Sequence, residues 1–399
     1  MKLAIVIPDG AADEAQPALG GRTPLQAAYR PHMNRLARMG QVGRADNVPG
    51  GYTPASDVAT LSLLGYDPRG CYTGRAPIEA FARGLKLGPH DWAIRCNLVT
   101  TATGRMDDFT AGHITTAEAA TLLADLQAAL GAPGRTFHPG VAYRHLLLVE
   151  GTSSGPFAAD TFTQPPHDIP DRPVAEHQPR GPGADLLTDL MQRSQAVLAD
   201  HPVNRARAKA GKKPATQVWL WGQGQAPALT PFQARFGLHG AMLSGVDLVR
   251  GVGGLLGWDI LDAPGMTDYL DNDYQSQGAA AVAALDRYDV VCVHVEASDE
   301  ASHEGRCDAK VEALEKIDRD IVGPLLAALP RHGNWRLLVT PDHPTPLRTR
   351  AHARGCVPFV IAGTGIAPLG QFSYDEATAA LAPLSFPAGH ELLPWLLSV

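Results

Sequence analysis

The chain has 399 residues, enough to bury a large core, which excludes a small scaffold held by disulfides and leaves either two domains or one large α/β domain with an insertion. Apolar residues make up 45%, yet no window reaches the roughly eighteen consecutive apolar residues of a membrane span, and the N-terminus has no basic-then-apolar leader, so a cytoplasmic protein without a membrane partner is expected. A net charge of −7 with no sustained basic face argues against nucleic acid and for a small substrate, and five scattered cysteines, none in a Cys-x-x-Cys pair, read as reduced thiols.

Leu3 to Ile7 reads as a buried strand ending in Pro-Asp-Gly, and Met33 to Gly40 has the spacing of a following amphipathic helix with a glycine stop. Ser56 follows a proline-containing turn and precedes Val58, Leu61 and Leu64, whose spacing predicts a helix starting at the serine. From Asp108 to Gly183 the texture changes: one helix (Thr116 to Leu130), a short strand (Arg144 to Gly151) and the run TQPPHDIPDRP. Residues 108–183 are therefore expected to form a smaller α+β insertion that acts as a substrate-binding lid, with 1–107 and 184–399 as the core domain. Core patterning resumes with a helix from Ala184 to Ala199, a strand from Gln217 to Gly224 and the run Gly240 to Gly257. The last part offers a strand (Asp289 to Ala297), a long helix (Ala309 to Leu329), a strand from Leu337 that Pro341 and Pro344 cut short, and a strand from Val357 to Gly363. Strands alternating with long helices predict a mostly parallel sheet with helices on both faces.

In such a sheet the carboxyl ends of the strands lie along one edge, where ligands bind. Asp9 follows the first strand, Asp299 and His303 follow VCVHVEA, Asp342 and His343 follow LLVT, and His352 precedes VPFVI. Each Asp alone could cap a helix and each His could satisfy a carbonyl. Converging, they would repel one another unless cations neutralised them, and Asp with His is a donor set for Zn²⁺ or Mn²⁺, so a two-cation site is the economical reading. Ser56, at a helix start, is either a cap or a nucleophile placed where an anion is welcome.

The stretches VIPDGAAD, TPASDVATLSLLGYDPRGCYTGRAPIEA, VHVEASDEASHEG and VTPDHPTP followed by HARGCVPFVI resemble, in that order, the cofactor-independent phosphoglycerate mutases of the archaeal type, members of the alkaline phosphatase superfamily. The likeness runs from Lys2 to about Ala362, and GRMDDFTAGHIT, PHDIP and HPVNRARAKAGKKPA with WLWGQG are closest to a bacterial branch sometimes proposed to be homoserine kinases. The resemblance implies an alkaline-phosphatase-like fold and one cation on Asp9, Ser56, Asp342 and His343. It implies a second cation on Asp299, His303 and His352, and Ser56 as the phosphorylated nucleophile. The cations would be Mn²⁺ or Zn²⁺, with Mg²⁺ or Co²⁺ as further options, and the reaction the interconversion of 3- and 2-phosphoglycerate in glycolysis. Arg75, Arg95, Asp108, His113, Arg144, His167, Arg205, Arg207 and Arg250 are candidates for binding the small phosphorylated substrate, although a single Arg is more often a solvated surface charge. Departures from the family pattern are Arg250 and Gln277, each where lysine is usual, and His113 where arginine is usual. The alternatives are a homoserine-kinase-like phosphotransfer, for which no Gly-x-x-x-x-Gly-Lys-Ser/Thr loop is present, and a phosphomonoesterase; the oligomeric state is left open.

Overall fold

The computed structural model describes residues 1–101 and 103–399. It divides into two compact units, Met1–Tyr72 with Ala228–Val399, and Thr73–Pro227. Strands are numbered here along the whole chain.

The first unit is built on an eight-stranded sheet. Its strands are β1 (Lys2–Pro8), β2 (Gln41–Ala45), β7 (Gly240–Leu243), β8 (Asp259–Leu261), β9 (Val290–Val295), β10 (Trp335–Val339), β11 (Val357–Gly363) and β12 (Ser385–Phe386), in the order β12-β2-β11-β10-β1-β9-β7-β8. β1 lies between β9 and β10, parallel to both, and is buried from Leu3 onward, which is why these strands read as near-continuous apolar runs. β11 runs antiparallel to β10, so the entrance to β11 lies beside the exit from β10. The exits of β1, β9 and β10 and the entrance of β11 therefore share one edge, as the sequence pattern predicts. Leu36 and Ala37 of the helix Pro31–Met39, Ala281 of Tyr274–Ala284 and Leu314 and Ile317 of Cys307–Ile317 pack with Ala4, Val293 and Leu337 in one core.

The long helix expected from Ala309 to Leu329 is not uniform. It is α-helical over Cys307–Ile317, widens into a π turn over Asp318–Val322, and returns to α over Gly323–Ala328. Pro324 has no N–H to donate, so an ordinary i−4 ladder loses a bond there and a wider turn is tolerated. The Asp318 carboxylate accepts from the N–H groups of His32 and Met33, which gives the wide turn a second function as the cap of a neighbouring helix.

The second unit has its own sheet of β3 (Trp92–Val99), β4 (Arg135–His138), β5 (Arg144–Val149) and β6 (Gln217–Gln225), in the order β4-β5-β3-β6, with every pairing antiparallel. The expected insertion at 108–183 is thus too narrow. The strands on either side of it, β3 and β6, pair with each other and β3 with β5, not with the large sheet, and the helix Ala184–Leu198 packs its Leu187 and Leu190 in the same core. Strand composition marks a buried strand but carries no record of which sheet holds it. Ile94, Cys96 and Leu98 point to that core, while Ala93, Arg95 and Asn97 alternate onto the other face.

Candidate active site

At the shared edge of the large sheet the expected residues converge. The Ser56 hydroxyl donates to Asp9 Oδ2 at 3.2 Å and lies 3.3 Å from His343 Nε2. Ser56 is the first residue of the helix Ser56–Leu63, whose capping position is Ala55, and no side-chain capping bond is made there. The serine hydroxyl is therefore turned to the acidic cluster and not to its own helix. His343 Nε2 lies 3.3 Å from Asp342 Oδ2 and 3.7 Å from Asp9 Oδ1. On the other side Asp299 Oδ2 is 2.8 Å from His303 Nε2 and 3.4 Å from His352 Nε2. Asp9, Asp299, Asp342 and His343 are all buried. Gly10, after Asp9, has φ +58 and no room for a side chain, since a Cβ would lie 2.2 Å from Asp299 Oδ1.

Among the described residues three donor groups could hold a cation: Asp299 with His343 and His352, Asp9 with Asp342 and His343, and Asp9 with His294 and Glu296. The fit is tested by the carboxylates themselves. Asp9 Oδ1, Asp342 Oδ2 and Glu296 Oε2 are buried without a hydrogen-bond partner, a costly arrangement for anionic oxygens that a cation would relieve. Without a cation the electrostatics are strained accordingly. Burial and the neighbouring Asp9 push Asp342 up to about 7. Burial, with Asp9 and Asp299, holds Glu296 well above the carboxylate range. Burial disfavours a charged His352, but the bond to Asp299 outweighs it and raises the imidazole to about 9. Asp299 is the counterpart: burial would raise it, and His303 and His352 hold it well below its ordinary value.

His294 and Glu296, which group with Asp9, were not among the residues expected from the sequence. His294 Nε2 lies 2.8 Å from Asp9 Oδ2 and 3.8 Å from Glu296 Oε2, and its Nδ1 lies 3.1 Å from the Ser244 hydroxyl. The available signal was a His-x-Glu at the end of an otherwise apolar strand, which reads first as a satisfied core histidine. Gln277, one of the departures, is buried; its amide donates to the His294 carbonyl at 3.0 Å and accepts from Asn272 at 2.9 Å. Arg250, the other, donates to the Ser244 carbonyl at 3.1 Å and pairs with Asp262 at 2.8 Å.

The remaining expected residues lie in the second unit. Arg95 is buried, pairs with Glu79 at 3.0 Å and lies 4.1 Å over the Trp221 ring. Arg75 holds the other Glu79 oxygen at 2.9 Å. Burial would raise the Glu79 carboxyl, but Arg95 and Arg75 hold it down to about 2. Arg144 stands opposite Asn97 in register, on the sheet face that carries Arg95, and His167 packs edge-on against Trp221 at 5.2 Å. Asp108 accepts from the Thr110 N–H and hydroxyl, with Lys213 at 3.6 Å. His113 has φ +51 and is exposed. Arg207 corrects its expectation: it is buried, and its guanidinium donates to Glu118, to the carbonyls of Ala111 and Gly112 and to that of Lys213, so it braces a loop and has no fork left for a substrate. Arg205 is exposed and donates to the Asp200 carbonyl.

Residues 37–204 match the family model of 2,3-bisphosphoglycerate-independent phosphoglycerate mutase. The chain is 44% identical over 399 residues to the protein of that name from Methanothrix thermoacetophila, with 100% of both chains covered. Among solved structures it is similar to a Pyrococcus horikoshii protein, with a TM-score of 0.83 and 28% identity over 99% of this chain and 96% of that one. It is also similar to the cofactor-independent phosphoglycerate mutase of Thermoplasma acidophilum, with a TM-score of 0.67 and 27% identity over 100% of both chains.

Proposed function

This chain belongs to the 2,3-bisphosphoglycerate-independent phosphoglycerate mutase family, and from that membership we propose that it interconverts 3-phosphoglycerate and 2-phosphoglycerate through a phosphoserine at Ser56. The observation that carries the mechanism is the Ser56 hydroxyl, free of capping and bonded to Asp9 at 3.2 Å beside His343. Two divalent cations are assigned to this edge, one to Asp9, Ser56, Asp342 and His343 and one to Asp299, His303 and His352, with Mn²⁺ or Zn²⁺ matching the oxygen and nitrogen donors. When bound, such cations neutralise the phosphoryl oxygens and acidify a coordinated hydroxyl. Asp9 Oδ2 orients the hydroxyl for in-line attack; the bond from Ser56 Oγ to phosphorus forms as the bond to the substrate's oxygen breaks, and the departing alkoxide takes up the proton that the serine loses. Return of the phosphoryl group to the other hydroxyl of the same glycerate restores the serine.

The test is direct. Purified protein supplied with Mn²⁺ should convert 3-phosphoglycerate to 2-phosphoglycerate, with less phosphate released from a generic monoester and no ATP consumed with homoserine. Ser56→Ala should abolish turnover and covalent labelling while sparing the fold, since no capping bond is lost. Undiminished turnover by Ser56→Ala protein would end the phosphoserine reading.

A further inference from the structure

Thr345 belongs to neither set of proposed ligands, yet its side chain touches both. Its Oγ1 lies 2.5 Å from Asp299 Oδ1 and 3.2 Å from His343 Nδ1, and the residue is fully buried. A hydroxyl has one proton and a carboxylate can only accept, so Thr345 donates to Asp299 and offers His343 a lone pair. The imidazole must then carry its hydrogen on Nδ1, which leaves Nε2 bare. Nε2 is the atom that faces Ser56 Oγ and Asp342 Oδ2, both at 3.3 Å. The same hydroxyl takes Oδ1 of Asp299 and so turns Oδ2 toward His303 and His352.

The backbone of Thr345 is held as firmly as its side chain. Its carbonyl accepts from Lys310 Nζ at 3.0 Å, and its N–H donates to the Ala12 carbonyl at 3.2 Å. Lys310 in turn pairs with Asp13 at 2.8 Å, both side chains fully out of solvent. A Cβ on Gly10 would come within 2.6 Å of Thr345 Oγ1, so the turn after Asp9 is shaped to admit this hydroxyl.

We infer that Thr345 is a positioning residue common to both cation positions, whose hydroxyl fixes the tautomer of His343 and the oxygen that Asp299 presents, coupling the two positions through one side chain. The inference rests on the two-cation reading proposed above. Partners of this kind, which orient a ligand without touching the cation, typically cost about 10- to 100-fold in metal affinity when removed.

The experiment is calorimetric titration of the chelator-stripped full chain with Mn²⁺, alongside thermal unfolding of the stripped protein. Thr345→Val keeps the shape and removes the hydroxyl; it should weaken both Mn²⁺ binding events by about 10-fold or more, and Thr345→Ser should restore both. A merely structural threonine would instead lower the unfolding temperature of the stripped protein and leave the affinities of the folded molecules alike. Undiminished affinity in Thr345→Val, or weakening of one event only, overturns the inference while the two-cation reading stands. Failure of the unsubstituted chain to take up two Mn²⁺ ions overturns both, and is seen before any variant is compared. Should Thr345→Val not fold by circular dichroism, Thr345→Ala is held to the same criteria.

Discussion

Asp342 at about 7 and His352 at about 9 are protonated, in part or wholly, near neutral pH when no cation is present. A cation requires the carboxylate and the neutral imidazole, so uptake must displace these protons. The sign follows: affinity for Mn²⁺ should fall as pH drops through about 7, where Asp342 holds its proton more fully, and should rise toward pH 9 as His352 loses its own. Calorimetry at pH 7 in buffers of different ionisation enthalpy should show release of about one proton or more per chain; a heat independent of buffer would refute it. Each of these residues alone has an ordinary structural reading; what the sequence offered was their common position at strand ends that a mostly parallel sheet brings to one edge. His294 and Thr345 were not legible. Both have ordinary structural readings, a histidine in a buried strand and a threonine between prolines, and what distinguishes them is contact with Asp9 and Asp299 from distant parts of the chain.

Among elements, the helix Tyr274–Ala284 and the π turn Asp318–Val322 approach each other backbone to backbone. A Cβ on Gly278 would lie 2.0 Å from the Asp320 carbonyl oxygen, with backbone and not a flexible side chain as the obstacle. Gly278→Ala should therefore separate the two elements and destabilise the first unit by about 1–3 kcal/mol, the usual range for overpacking, in spite of alanine's better helix propensity. Thermal unfolding tests this, since an unchanged or raised midpoint would mean that the crossing yields without strain. The sequence revealed the helix on either side of the turn through its apolar spacing. The widening itself was hidden, because a π turn keeps the composition of the helix that contains it.

At the scale of the whole chain, the fold class was readable from alternating strands and helices, and the unit boundary was misplaced. Trp92–Val99 is buried along its whole length, as a strand of the large sheet would be, yet it pairs with β5 and β6. Pairing is a long-range choice that local pattern does not encode. Thr73–Pro227 has its own four-stranded sheet and its own core, so a protein of residues 73–227 should unfold cooperatively and show dispersed amide resonances. A protein of residues 108–183, which lacks β3 and β6, should do neither. The reverse outcome would restore the narrower boundary.

The antiparallel course of β11 has a consequence beyond placing His352. Asp342, His343 and His352 all belong to one loop, pinned where it leaves β10 and again where it enters β11 on the adjacent strand. The donors proposed for two different cations are thus tethered to each other through the chain. A donor that lets go of its cation stays within the reach of the loop, so recapture competes with escape at an effective concentration set by the tether and not by the surrounding solution. With both proposed cations bound, the loop would act as a multidentate chelator whose teeth are divided between them, each held ion shortening the path by which the other is regained.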